Sequence, residues 1–352
     1  MTGIVEQLLT ERKEAVLKIV IDEYIRTGTP VASVDIARNP SLGVSSATVR
    51  NELAWLKQEG YLAQPHTSAG SVPSDQGYRY YVNSLLEESD IPAHEQRLVR
   101  HMFHQVEADL EEWIGLAATL LARLVHNAAF VVPPKAAKAR LQRLHLIAVQ
   151  ELLALLVTVL QDGRLRRHLI AFEQAMSQDE LDRVSNKLNA MYGGMTRPQI
   201  STRPAELTAP EAKVAGVVAG LMTAEDERGY QEPHIEGLRN LLGQPEFSHG
   251  AGVLEIVELL EKRPLFKPVL ARGLDRGLLV IIGEENPEEG LHDLSIVISR
   301  YGKPDELTGV VGVLGPRRMP YSRSIASVRF LASLLGQFAS ELPGTSAYRN
   351  TQ

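Results

Sequence analysis

The chain opens with apolar residues at helical spacing. Val16, Leu17, Val20, Ile21 and Tyr24 share one side, which predicts a helix over residues 10–27. Thr10 stands where an N-cap is wanted and Gly28 where a left-handed cap is wanted, and Thr29-Pro30 forbids continuation. A short second helix is expected at Ser33 to Arg38, broken by Asn39-Pro40-Ser41. A third runs from Ser46 to Glu59 and stops at Gly60. Three early helices, the last two joined by a short turn, outline a helix-turn-helix unit. Past Gly60 the pattern changes. The stretches 61–65 and 71–74 can pair as two short strands around the small polar tip His66-Thr67-Ser68-Ala69-Gly70.

A helix restarts at Asp75 with Tyr78, Tyr81, Val82, Leu85 and Leu86 on one side, and Ser89-Asp90-Ile91-Pro92 reads as a linker. Residues 94–128 are expected as one long amphipathic helix. Strands are expected near 129–133, 143–150, 152–160 and 164–172, the last two joined by Gln161-Asp162-Gly163. The most apolar stretch, the nine residues Leu152 to Leu160, spans half a membrane at most and reads as a buried strand. Residues 177–245 turn helical, strands return near 277–283, 294–300 and 308–314, and a helix from Tyr321 to Leu342 closes the pattern. Strands, helices, then strands again predict a multidomain α+β chain with a helical insertion. Leu181, Val184, Leu188, Met191, Val214, Val217, Val218, Leu221 and Met222 recur at helical spacing inside that insertion. They are the expected dimerisation face, with packing on their own chain as the plainer alternative.

At 352 residues two or three domains are expected. The chain has no cysteine, which excludes disulfides and thiolate chemistry and fits a reducing cytoplasm. Its N-terminus lacks the pattern of a secretory signal, and no membrane partner is expected. The formal net charge of −6 does not by itself suggest nucleic acid.

The third helix argues otherwise. Val49, Glu52, Leu53 and Leu56 share its inner side, whereas Ala47, Asn51, Ala54 and Gln58 lie opposite, with Arg50 and Lys57 on one shoulder and Thr48 and Trp55 on the other. An ordinary solvated face would carry long Glu and Lys pairs. This face suits a DNA major groove: alanines allow close approach, amides pair with adenine and Arg pairs with guanine. Ser45, Ser46 and Thr48 at the helix N-terminus could hold a phosphate. His66, Thr67, Ser68 and Gly70 make the following loop a second contact element, a wing. Against this, the first 86 residues carry eight cations and nine anions, a balance of −1, where DNA-binding modules are usually basic.

Other signals are weaker. His101 and His104 share a helix face but suggest no third ligand, so no metal is expected. Gly250-Ala251-Gly252 follows no clear strand and is discounted as a dinucleotide loop. Glu284, Glu285, Glu288, Glu289 and Asp293 form an acidic loop, either solvated or meeting a partner or another domain. Lys135, Lys138, Arg140, Arg143, Arg164, Arg166 and Arg167 make the centre basic, as the wet face of a sheet or as a mate for that loop. No nucleotide-binding, serine-hydrolase or zinc-protease pattern is present, so neither an enzyme nor a cofactor is expected.

The chain resembles the HrcA family of heat-inducible repressors of bacterial chaperone genes. The resemblance rests on LTERKEAVLKIVIDEYIRTGTPVAS, LGVSSATVRNELAWLKQEGYLAQPHTSAGSVPSDQGYRYYV, IGEENP at 282–287 and VGVLGPRRMPYSR at 311–323. It implies a winged helix-turn-helix domain (1–88), a discontinuous GAF-like domain (89–174 and 246–345) and an inserted dimerisation domain (175–245). It also implies a homodimer on double-stranded DNA, at an inverted-repeat operator called CIRCE, and control by the GroEL chaperonin. Two cations of the family pattern are missing, at Ser71 after the wing tip and at Val34 in the second helix. The competing expectation is a regulator whose GAF-like domain is switched by a small-molecule effector.

Overall fold

A computed structural model describes residues 9–40, 42–66, 69–85, 90–106, 110–136, 138–161, 163–203, 206–227, 232–247, 277–303 and 307–341. The N-terminal unit holds α1 (Glu11–Thr27), α2 (Ser33–Ala37), α3 (Ser46–Gln58), the antiparallel hairpin β1 (Leu62–Ala63) and β2 (Val72–Pro73), and α4 (Asp75–Leu85). α1 buries Val16, Leu17, Val20 and Ile21, as its spacing requires. Gly28 caps it at φ 65°, and its N–H donates to the Tyr24 carbonyl at 2.8 Å. Thr10 takes the N-cap backbone geometry, but its side chain makes no cap bond.

The single helix expected over 94–128 is two, α5 (Ala93–His104) and α6 (Leu110–Val125). The reason lies in Phe338 of α11 (Tyr321–Glu341), whose ring lies 5.4 Å from that of Phe103 and 4.8 Å from that of Trp113. Ten residues of unbroken helix would hold Phe103 and Trp113 about 15 Å apart along the axis. The break lets both reach one partner.

The central body is a five-stranded antiparallel sheet ordered β7-β3-β10-β9-β8, built from β3 (Ala128–Ala136), β7 (His234–Glu236), β8 (Leu278–Ile282), β9 (Leu294–Gly302) and β10 (Leu307–Pro316). β10 is central and buried along its whole length. Its Gly312 is needed there, because a Cβ would fall 2.5 Å from the Phe130 ring and 2.6 Å from Ile298. Val131, Val297, Val311 and Val313 face α6 and α11, while Phe130, Ile296, Ile298 and Val310 face Leu241, Phe247 and Leu291.

The inserted unit differs from its expected bounds. β4 (Leu141–Gln150), β5 (Leu153–Leu160) and β6 (Leu165–Ala171) form a three-stranded meander of their own, covered on one face by α7 (Gln178–Tyr192) and α9 (Ala209–Glu227), with α8 (Arg197–Thr202) beside them. One apolar cluster joins Leu141, Leu144, Leu146 and Leu156 to the helices, so these strands group with the insertion and not with the body. Conversely, β7 and α10 (Leu238–Leu242), expected inside the insertion, pack on the body.

The expected dimerisation residues are corrected by the same packing. Leu181, Val184, Leu188, Val214 and Val218 are at most 7% exposed within this chain, and Leu221 is partly buried against the same cluster. The first five are the unit's own core and offer no free face, and Leu221 packs against that core.

Candidate nucleic-acid interface

α3 is held from both ends and from beneath. Ser45 is its N-cap: its hydroxyl accepts from the Thr48 N–H at 3.2 Å and lies 3.0 Å from the Thr48 hydroxyl. That spends the Ser45 side chain on the helix itself and leaves the Ser46 and Ala47 N–H groups at the open end. Val49, Leu53 and Leu56 are buried against α1. Glu52, also buried, accepts from Arg12 at 2.7 Å and faces Lys13 at 3.8 Å, so two cations of α1 serve to anchor α3. Lys13 also lies over the Trp55 ring at 4.4 Å, and Trp55 stacks on Tyr61.

The outer side carries Ala47, Arg50, Asn51, Ala54 and Gln58, all exposed. Arg50 and Asn51 have no side-chain partner among the described residues. The other cations of this unit are engaged: Lys18 with Glu14, Arg26 with Glu23, Arg38 with Asp35 and Arg79 with Glu285. Lys57, expected as a contact, donates to Gln64 at 2.9 Å, and Gln64 donates to the Ala69 carbonyl at 2.8 Å. This bridge ties the hairpin to the helix. Gln64 was not among the expected residues, since an exposed Gln in a loop carries no local signal.

The hairpin holds a surprise in Gly70 and Ser71. Ser71 is buried and exchanges backbone hydrogen bonds with Val31, at 2.9 and 2.8 Å. A Cβ on Gly70 would fall 2.5 Å from the Val31 carbonyl oxygen. Gly70, expected at the contact tip, is therefore a packing residue against the turn after α1. His66 is exposed beside the tip, and Thr67 and Ser68 lie outside the described residues. Gly250-Ala251-Gly252 lies outside them too.

Elsewhere, His101 Nε2 lies 3.0 Å from Gln105 Nε2, and the His104 ring meets Phe338 edge-on. Arg164 and Arg166 pair with buried Glu225 of α9, at 2.8 and 2.5 Å. No helix among the described residues is long and apolar enough to cross a membrane.

A family model described as the HrcA protein C terminal domain matches residues 111–325, more than half of the chain. The chain belongs to the HrcA family. The likeness continues through the N-terminal unit. The chain is 39% identical over 338 residues to the heat-inducible transcription repressor HrcA of Dehalococcoides mccartyi, covering 96% of this chain and 98% of that one. It is 40% identical over 344 residues to the repressor of the same name from Herpetosiphon aurantiacus, covering 96% and 97%. A solved structure of a hypothetical protein at 2.2 Å resolution, 22% identical, covers 95% of this chain and is covered over 99% of its own, with a TM-score of 0.63, and shares the fold. As an HrcA chain it is a heat-inducible transcription repressor and not an enzyme. The α+β architecture is that expected, with the boundaries redrawn as above.

Proposed function

We propose that this HrcA chain represses as a homodimer that reads an inverted-repeat operator with α3. In this reading the N-terminal unit is a winged helix-turn-helix, β1–β2 is its wing and the central sheet with α6 and α11 is a GAF-like body. The carrying observation is the outer face of α3, where an unpaired Arg50 and Asn51 stand between small Ala47 and Ala54 on a helix fixed from behind. Arg reads guanine and Asn reads adenine in the major groove, and the open Ser46 and Ala47 N–H groups suit a phosphate. Family membership supports the rest of the reading: CIRCE as the operator, GroEL as the modulator and the cytoplasm as the compartment.

The dimer face we infer is the uncovered side of the β4-β5-β6 sheet. The run Leu153–Leu160, apolar but for the buried Thr158, alternates between buried and half-buried residues, and Leu153, Leu155, Val157 and Val159 point away from the helices. Ile147 and Leu169 flank Leu155 in register, at 47% and 55% exposure, and Leu165 flanks Val159. A strand apolar on both sides is expected where both sides are covered. Charge supports a two-fold copy as the cover. Arg143 and Arg167 lie toward one end of the strands, and Glu151 and Glu173 lie at the other. A two-fold axis through the face sets each end against its opposite, and an inverted repeat requires that symmetry.

Arg50→Ala tests the reading helix. Operator affinity should fall by about 1–3 kcal/mol, with random DNA hardly affected. Equal weakening on both duplexes would make Arg50 a phosphate contact and remove the assignment.

A further inference from the structure

We propose that Asp75, Arg79, Glu285 and Arg317 form a clamp that sets the angle of α3 relative to the body, and so the half-site spacing that the repressor accepts. This rests on α3 being the DNA-reading helix. α4 starts two residues after β2 and lies against β8 and α11. Apolar packing holds it there: Tyr78 is buried against Tyr321, with ring centroids 5.6 Å apart. Such packing is non-directional and tolerates sliding. Direction comes from two forked contacts at successive turns of α4. Arg317 donates to Asp75 at 2.9 Å, and the other Asp75 oxygen accepts the Glu284 N–H at 2.9 Å. One turn on, Arg79 grips Glu285, with Nε donating at 2.8 Å, and also donates to the Val280 carbonyl at 2.8 Å.

Each acceptor is itself held. Glu285 accepts the Ile282 N–H at 2.9 Å, which locks the carboxylate to the strand end. Gly283 sits at φ 51°, and a Cβ there would fall 2.2 Å from an Asp75 carboxylate oxygen, so the loop is shaped around the incoming side chain. The Tyr321 hydroxyl lies 2.8 Å from the Ser295 hydroxyl and donates to the Arg317 carbonyl at 2.6 Å, fixing the residue whose side chain meets Asp75. The Arg79–Glu285 pair is bidentate, one donor to each carboxylate oxygen, and such pairs impose orientation as well as attraction. At Asp75 one oxygen takes both Arg317 donors and the other takes the Glu284 N–H, which fixes that carboxylate from two sides. Asp75 follows the hairpin directly, so a fork at this point fixes hairpin and α3 together.

The absence of cysteine allows a clean test. Glu59→Cys, exposed at the end of α3, and Ser333→Cys, exposed on α11, carry a donor and an acceptor dye in chains mixed with excess unlabelled chain. The DNA probe is a palindromic duplex selected by the unaltered protein from a randomised pool, then lengthened between its halves by about five base pairs, half a helical turn. The variant Glu285→Ala with Arg317→Ala should keep its circular dichroism and its dimer. Its intrachain distance distribution should broaden, and its preference for the selected spacing should fall at least about tenfold toward parity. Arg317→Lys with Glu285 intact should stay close to the unaltered protein in both readouts. An unchanged distribution with an unchanged spacing preference overturns the clamp, as does a variant that unfolds while Arg317→Lys already shows full loss of preference. If the unaltered protein selects no duplex, the DNA reading fails. The dye distances then decide the clamp alone: broadening sustains it and no broadening overturns it.

Discussion

The two junctions of the central body differ in kind. At the first, the N-terminal unit and the body share one apolar cluster that runs from Val16 and Leu56 through Tyr78 and Tyr321 to Val297. At the second, the inserted unit keeps a cluster of its own, from Leu141 through Leu188 to Met222, with no member in common with the body clusters among the described residues. The links there are chain crossings and polar contacts such as that of Asp226 on α9, whose carbonyl accepts from Lys135 of β3 at 3.2 Å. A shared core couples the unfolding of what it joins, and separate cores let each part open alone. The proposed reading helix thus belongs to one cooperative piece with the body, and the proposed pairing sheet belongs to another.

The largest expected effects break that contrast most sharply. Tyr78→Ala should cost about 3–5 kcal/mol, the range for truncating a buried aromatic, and should lower the melting of N-terminal unit and body together. Leu188→Ala should cost about 2–5 kcal/mol and move only the inserted unit, giving two resolved calorimetric transitions. A single shared transition in both variants would erase the distinction. Tyr78→Phe is the control: the Tyr78 hydroxyl is buried without a hydrogen-bond partner among the described residues, so its loss should be close to neutral.

Next is deletion of residues 138–231 with a short Gly-Ser bridge. β3 and β7 already pair antiparallel, Phe130 opposite Ile235, so the bridge closes a hairpin that the body contains. The product should fold, sediment as a monomer and bind the palindrome at least about a hundredfold more weakly, because the second half-site no longer benefits from tethering. A tight dimer would move the interface to the body.

These bounds show what the sequence carried. The helices, the cap at Gly28, the hairpin and the α+β class follow from periodicity and turn residues, which are local. The break between α5 and α6 was not legible, because no glycine or proline marks it and its cause, Phe338, lies over two hundred residues away. Nor was the partnership of β4–β6, since alternation says which face is buried but not against what. The same limit misassigned Leu181, Leu188 and Val218: helical spacing identifies an apolar face and is silent on whether its own chain fills it. The run Leu152–Leu160 reads from sequence as simply buried, whereas the second face of its strand is only half-buried within the chain. On α3 the signal for the proposed contact face is local, because an outward face of Ala, Arg and Asn departs from what solvent alone would select. Gly70 went wrong because its close neighbour, Val31, is distant in sequence.

The smallest expected effect concerns the bridge from Lys57 through Gln64 to Ala69. Gln64→Ala should leave melting unchanged and weaken operator binding by no more than about 1 kcal/mol, the scale of one exposed hydrogen bond. The measurement is fluorescence anisotropy on labelled duplex, and a loss of several kcal/mol would mean that Gln64 itself meets DNA.

The most direct test of dimeric reading is Leu169→Arg, placed on the uncovered sheet face at a position 55% exposed within the chain. Unaltered protein and variant are titrated with a palindromic duplex and with a single half-site, alongside sedimentation. The unaltered protein should prefer the palindrome by at least about a hundredfold, and the variant should be a folded monomer that binds both duplexes alike, at the half-site affinity of the unaltered chain. A variant that stays dimeric and keeps the preference would contradict the sheet as pairing surface, and an unaltered protein without any preference would contradict palindrome reading itself.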